Sequence, residues 1–255
     1  MIYGLYLSAT GVIANSHRED VIANNLANSE TTAFKRSTTA FQQRLTAAQE
    51  RSALAGDTDP LQEGIGGGLF IAPTGVDTTQ GELEPSGNTM DLAVQGKGFF
   101  AVNDHGTTEL TRDGRFILDR NGNVIVDNGT GQQVLGKDMQ PLVLDPNKIA
   151  QTTIGTGGEI TQGGKAAGVV GLFDVSNPGK LFPKGGNMID YSQAGDLQPA
   201  TGTMRSQFTE RANVDPAIEL TQLMDAQRQL EANANMIKYQ DETLGKAVTD
   251  VGKLS

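Results

Sequence analysis

The chain has 255 residues, a net charge of −10, no cysteine and no tryptophan, so it can bury a core but has neither disulfide nor thiolate chemistry. The charge is uneven: residues 1–55 carry +1, residues 56–210 carry −9 and residues 211–255 carry −2. An acidic, aromatic-poor middle argues against nucleic-acid binding, and no run approaches the ~18 apolar residues of a membrane-spanning helix.

All but four of the 32 glycines, and every proline but Pro216, lie between Gly56 and Gly202. Both residues are costly inside helices and common in turns, so helical structure is expected only at the two ends. The opening MIYGLYLSATGVIA lacks the basic leader and cleavage pattern of a signal peptide, and reads as an amphipathic helix of the mature protein. Steps of three and four give Ile2, Leu5, Ala9, Val12, Ser16, Glu19, Ala23 and Leu26, a weak heptad seam. Gly4, Gly11 and β-branched residues lower its helix propensity, so the segment needs packing partners. Asn24, Asn25 and Asn28 have two readings: they end the helix, or their amides bond to a partner helix.

Residues 39–55 have helix-compatible composition, and the glycines from Gly56 to Gly68 then break it. Gly66, Gly67 and Gly68 are not followed by the Lys-Ser/Thr of a phosphate loop, and read as flexible linker. From Leu69 onward short apolar runs alternate with turns. Asp113-Gly114, Asn121-Gly122 and Asn128-Gly129 predict a meander of hairpins around strands at 116–118 and 124–126. Further strands are expected at 91–95, 98–102, 141–144, 169–175 and 203–208. A fragment of residues 68–207 is expected to fold alone as an acidic β domain.

Catalytic candidates are few. His17 and His105 are far apart and without cysteine, which disfavours a zinc site. Asp119, Asn121 and Asn123 have calcium-loop spacing, but the glycine falls too early and Thr130 occupies the position that calls for glutamate. Asp113 reads as a turn former. No catalytic, cofactor-binding or metal residues are assigned.

The last segment opens with Asp215-Pro216, a good N-cap followed by proline at the first helical position. Leu220, Leu223, Gln227, Leu230, Ala234, Ile237, Asp241, Leu244, Val248 and Val251 form a sustained seam on a helix running from residue 216 to about 252.

Several blocks resemble one known family in that family's order. VIANNLANSETTAFKR (residues 21–36) and NVDPAIELTQLMDAQRQLEAN (residues 213–233) resemble the terminal signatures of bacterial flagellar rod and hook proteins. In the second block Asn213, Val214, Glu219, Gln227, Arg228, Glu231 and Asn233 fall where the family pattern has them. GELEPSGNTMDLAVQGKGFF (residues 81–100) and LTRDGRF (residues 110–116) resemble the start of the family's β domain. The chain is shorter than the hook protein. Its tail MIKYQDETLGKAV resembles the proximal-rod type, while the glycine run within residues 59–81 also suits the distal type.

The resemblance implies an α+β protein whose N- and C-terminal helices pair as a coiled coil beside a central all-β domain of short strands. The expected divisions are residues 1–35 for the first helix, 36–68 for an extended linker, 69–210 for the β domain and 211–255 for the second helix. It implies a non-enzymatic subunit of the periplasmic basal-body rod, assembling with itself and other rod proteins and transmitting torque. It also implies delivery by the type III export apparatus without a cleaved signal, no cofactor and no nucleic acid. The assembly interface is expected at Leu5, Val12, Asn24, Asn25, Leu26, Asn28, Leu220, Leu223, Leu230, Ile237, Leu244 and Val248. The bare heptads also allow an unrelated coiled-coil structural or adhesin subunit; a β-domain enzyme has no placed pair of carboxylates to support it.

Overall fold

The computed structural model describes residues 2–43 and 68–252. It contains two long helices, α1 (Ile2–Ala27) and α2 (Pro216–Gly252), with short strands between them. The chain divides into two compact units. One comprises Met1–Leu26, Thr39–Pro73 and Pro216–Ser255; the other comprises Ala27–Thr38 and Thr74–Asp215.

In the helical unit, α2 begins at Pro216 as its sequence predicts, and its 37 residues span about 55 Å at 1.5 Å each. α1 ends where Asn28 takes over: its carbonyl accepts from the Thr31 amide at 3.0 Å and its side chain accepts from the Thr31 hydroxyl at 3.2 Å. Although residues 39–55 have helix-compatible composition, Phe41–Gln43 forms a strand paired antiparallel with Leu69–Ile71. The β-branched and aromatic residues flanking this ribbon suit an extended chain. Residues 44–67, with most of the expected linker, lie outside the described residues.

The second unit is built on a nine-stranded sheet. Its main path runs Phe182–Gly185, Met188–Asp190, Thr107–Thr111, Phe99–Asp104, Gln133–Val134, Val124–Val126 and Phe116–Leu118. Leu172–Val175 also pairs with Phe99–Asp104, and with Leu197–Pro199 on its other side. All pairings are antiparallel. Phe99–Asp104 lies at the centre and is buried on both faces. Phe100 and Val102 enter one core cluster, with Leu92, Phe116, Val124 and Val126. Phe99 and Ala101 enter another, with Leu110, Phe173, Leu181 and Ile189. The side-chain period of two thus explains the adjacent Phe99-Phe100: one aromatic ring serves each core. Phe100 meets Phe116 edge to face, with centroids 5.2 Å apart.

Two of the three predicted turns are hairpins. Asn121-Gly122 joins the paired strands Phe116–Leu118 and Val124–Val126, and Asn128-Gly129 precedes the pairing of Ile125 with Gln133. Asp113-Gly114 is not a hairpin, because Thr107–Thr111 pairs with Phe99–Asp104 and Met188–Asp190 instead. Residues 141–144 form only isolated bridges, Leu135 with Pro141 and Asn123 with Val143; the proline lacks the donor a full ladder needs.

Candidate assembly site

The two helices of the first unit meet along a polar ladder. A Cβ on Gly4 would lie 2.9 Å from Gln240 Nε2, and one on Gly11 would lie 3.0 Å from Asn233 Nδ2. Gln227 Nε2 donates to Glu19 Oε1 at 3.1 Å, and Asn25 Nδ2 approaches Glu219 Oε2 at 3.5 Å. As the α1 number rises the α2 number falls, so the helices run antiparallel. The less exposed stripe of α2 is Glu219, Leu223, Ala226, Leu230, Asn233, Ile237, Gln240 and Leu244. This is heptad spacing, with one of its two positions a residue away from the predicted seam.

The expected interface residues divide accordingly. Leu5, Val12, Leu26, Leu223, Leu230, Ile237 and Leu244 are half-buried, and Asn25 is buried. Leu220 and Val248 point outward, 50% and 71% exposed, where Glu219 and Ala247 take the inner places. Glycine and small or amide-bearing residues let two helices approach, and larger aliphatics one position away are turned out. Of the three asparagines, Asn25 approaches Glu219 on the other helix, Asn28 follows the end of α1 and binds Thr31, and Asn24 is exposed.

The β unit holds a second arrangement, a buried charge clasp. Glu210 is fully buried and lies 2.7 Å from Lys35 Nζ and 3.3 Å from Arg112 Nη1. The same carboxylate accepts the Gly81 amide at 2.8 Å. Lys35 Nζ also donates to the Thr79 carbonyl at 2.7 Å, and Arg112 Nη2 to the Gly96 carbonyl at 2.8 Å. Arg112 stacks over Phe99 at 5.0 Å, and its Nε is buried without a partner. Beside them, Asn213 Oδ1 accepts from the Arg36 amide at 2.7 Å, while its Nδ2 donates to the Asp77 and Thr79 carbonyls at 3.0 Å. A Cβ on Gly81 would sit 2.1 Å from the Arg211 carbonyl, so only glycine lets these segments touch.

Burial pushes the Lys35 ammonium below its ordinary value of 10.5, with the Glu210 carboxylate pulling it back up. Burial likewise lowers Arg112, again opposed by Glu210. Two cations around one carboxylate, with backbone donors and acceptors filling the remaining sites, hold four stretches of chain together: 33–38, 77–81, 208–213 and the segment around Arg112.

Sequence reading did not single out this clasp. Its one signal is positional: Lys35, Arg112 and Asn213 each lie inside one of the blocks that carry the family resemblance. The other candidates have local explanations. Asp113 is buried and holds the Arg115 guanidinium at 2.8 Å, which raises the arginine's pKa. His105 adopts a left-handed turn, φ 51°, with its side chain 90% exposed. Asp119 accepts from Asn121 within a hairpin turn. Among the described residues no group of His, Cys, Asp and Glu is placed to hold a metal ion, and no helix is long and apolar enough to cross a membrane.

Three regions match family sequence models. Residues 5–35 match the flagella basal body rod protein, residues 93–162 the flagellar hook protein FlgE/F/G D1 domain, and residues 205–250 the flagellar basal body rod FlgEFG protein C-terminal region. The chain is 31% identical to the flagellar basal-body rod protein FlgF of Caulobacter vibrioides over 254 residues, 98% of each. It is 30% identical to FlgG of Bacillus subtilis over 97% of this chain and 98% of that one. FlgF of Mesorhizobium japonicum is 27% identical over 98% of both.

The chain therefore belongs to the flagellar basal-body rod protein family. It is a structural subunit of the basal-body rod and not an enzyme.

Proposed function

We propose that this subunit builds the periplasmic rod by pairing α1 and α2 as an antiparallel coiled coil and assembling through the outer faces of that pair. The carrying observation is the distribution of exposed apolar side chains. Among the described residues, the β unit exposes only Ile117, Val143 and Ile149 of its large hydrophobics. The helical unit exposes Tyr6, Leu7 and Ile13 on α1, four of the six residues of the ribbon, and Ile218, Leu220, Met224, Met236, Tyr239 and Val248 on α2. An apolar surface of that extent marks an interaction site. On this reading Leu220 and Val248 serve contacts between subunits, while Leu223, Leu230, Ile237 and Leu244 serve the contact within one. The β unit sets spacing and outer contacts, and its acidic surface keeps neighbouring domains apart.

We assign the chain to the proximal, FlgF-type position. The tail MIKYQDETLGKAV, which resembles the proximal-rod type, and the 31% identity to the Caulobacter FlgF support this reading. Subunits of this kind would reach the rod through the type III export apparatus, without a cleaved leader. Labelled microscopy of isolated basal bodies tests the placement. A label at the cell-proximal part of the rod is the expected result; a label next to the hook overturns it in favour of the distal member.

A further inference from the structure

Within the helix pair, the aliphatic positions cannot by themselves define where one helix sits along the other. Leu223, Leu230, Ile237 and Leu244 recur at every heptad of α2 and are all half-buried. Sliding α1 by one heptad would replace each aliphatic by an equivalent one, at little cost. The alternate positions are different at each step: Glu219, Ala226, Asn233 and Gln240. Asn233 and Gln240 are seated on Gly11 and Gly4, with approaches of 3.0 and 2.9 Å to the space a Cβ would fill. Glu219 faces Asn25.

We infer that the glycine–amide contacts Gly4–Gln240 and Gly11–Asn233, with Asn25–Glu219, are the register-determining elements of the helix pair. This rests on the coiled-coil reading above. A one-heptad slip in either direction separates Asn25 from Glu219. One direction places Gln240 on Gly11 and Asn233 against Arg18. The other places Asn233 on Gly4 and only Ala226 on Gly11. A polar residue at a seam position fixes alignment at some cost in stability. That cost is visible here, because Gln240 Oε1 is buried without a hydrogen-bond partner. Replacing Asn233 and Gln240 by leucine therefore makes the seam stickier and less selective.

The absence of cysteine from the chain makes the test direct. Glu19→Cys is combined in turn with Gln227→Cys, its native-register neighbour, and with Leu220→Cys or Ala234→Cys, one heptad to either side. Each pair is treated with a short bis-maleimide in the full-length protein at low concentration. In the otherwise native chain only the Glu19/Gln227 pair cross-links. In the Asn233→Leu/Gln240→Leu background at least one slipped pair rises severalfold, to a yield comparable with the native pair, while the circular dichroism retains its helical signal. Unchanged selectivity in that background overturns the register assignment and leaves the pairing intact. No cross-link from any pair in the native chain overturns the pairing itself. Gly11→Ala gives a second readout: its methyl displaces Asn233 and lowers the native-pair yield, and an unchanged yield counts against the lock.

Discussion

Lys35 and Glu210 lie 2.7 Å apart, with side chains only 3% and 0% exposed, although 175 positions separate them in sequence. Such a pair is weak evidence for net stability, because desolvating two charges offsets much of their attraction. Its loss on one side is another matter. Glu210→Gln leaves Lys35 and Arg112 buried with no carboxylate, and unfolding free energy should fall by about 3–5 kcal/mol. The double change Lys35→Met/Glu210→Gln should not cost the sum of the two single changes. Chemical denaturation of the three variants measures the difference. Additive losses would show that the two groups do not act on one another.

The same clasp has an alkaline signature. Lys35's folded-state pKa lies below 10.5, so the folded chain gives up this proton before the unfolded chain does. Between those two values the unfolded state binds more protons, and this group's contribution makes stability rise with pH. Glu210 pulls the value upward, while Arg112 pushes it down and Asp77 pulls it up weakly. Glu210→Gln therefore lowers the folded value further and extends the rise to lower pH. Lys35→Met removes it. Lys184, raised by its bond to Glu109, has the opposite sign and cancels between variants. Stability of wild type and Lys35→Met, compared from neutral to alkaline pH, decides the matter; parallel curves would contradict it.

Ile237→Asp places a carboxylate in the half-buried aliphatic row of α2. Burying it unpaired costs several kcal/mol unless the helices part to hydrate it. The expected outcome is loss of helix pairing and of rod assembly, with the thermal transition of the β unit unchanged. Motility and sedimentation supply the readout, and a normally motile strain carrying this change would remove the seam from the account of assembly.

Fragment boundaries give a fourth prediction. A fragment of residues 68–207 stops before Glu210 and would leave the buried Arg112 guanidinium without its carboxylate, with only the Gly96 carbonyl as acceptor. A fragment of residues 74–215 restores Glu210, the pairing of Phe208–Glu210 with Leu83–Pro85, and Asn213. The longer fragment should melt more cooperatively and at higher temperature. Equal melting would mean that the part of the clasp formed without Lys35, the Glu210–Arg112 pair, adds nothing to the fragment.

What could be read from the sequence depended on the range of the interaction. Both ends of α2 were legible because local rules govern them: Pro216 starts it, and no proline or glycine pair interrupts it before Gly252. The turns at Asn121-Gly122 and Asn128-Gly129 were legible for the same reason. The seam was half legible. Stepping through the most apolar residues selected Leu220 and Val248, whereas the helices turn Glu219 and Ala247 inward because glycines on α1 accept small and amide groups closely. The clasp was not legible, since nothing in the neighbourhood of Lys35 marks it as different from a solvated lysine. Its partner lies 175 positions further along the chain.

The separations in sequence also order events in time. Lys35 waits for a carboxylate 175 positions away, and Asn25 for one 194 positions away. Closing such distant contacts carries a large entropic cost before any contact repays it, and it slows folding. A chain made from its first residue onward therefore stays unlocked until almost all of it has appeared. Late closure is a built-in delay: the last strand before α2, Phe208–Glu210, acts as the key, and it is among the last parts to be made.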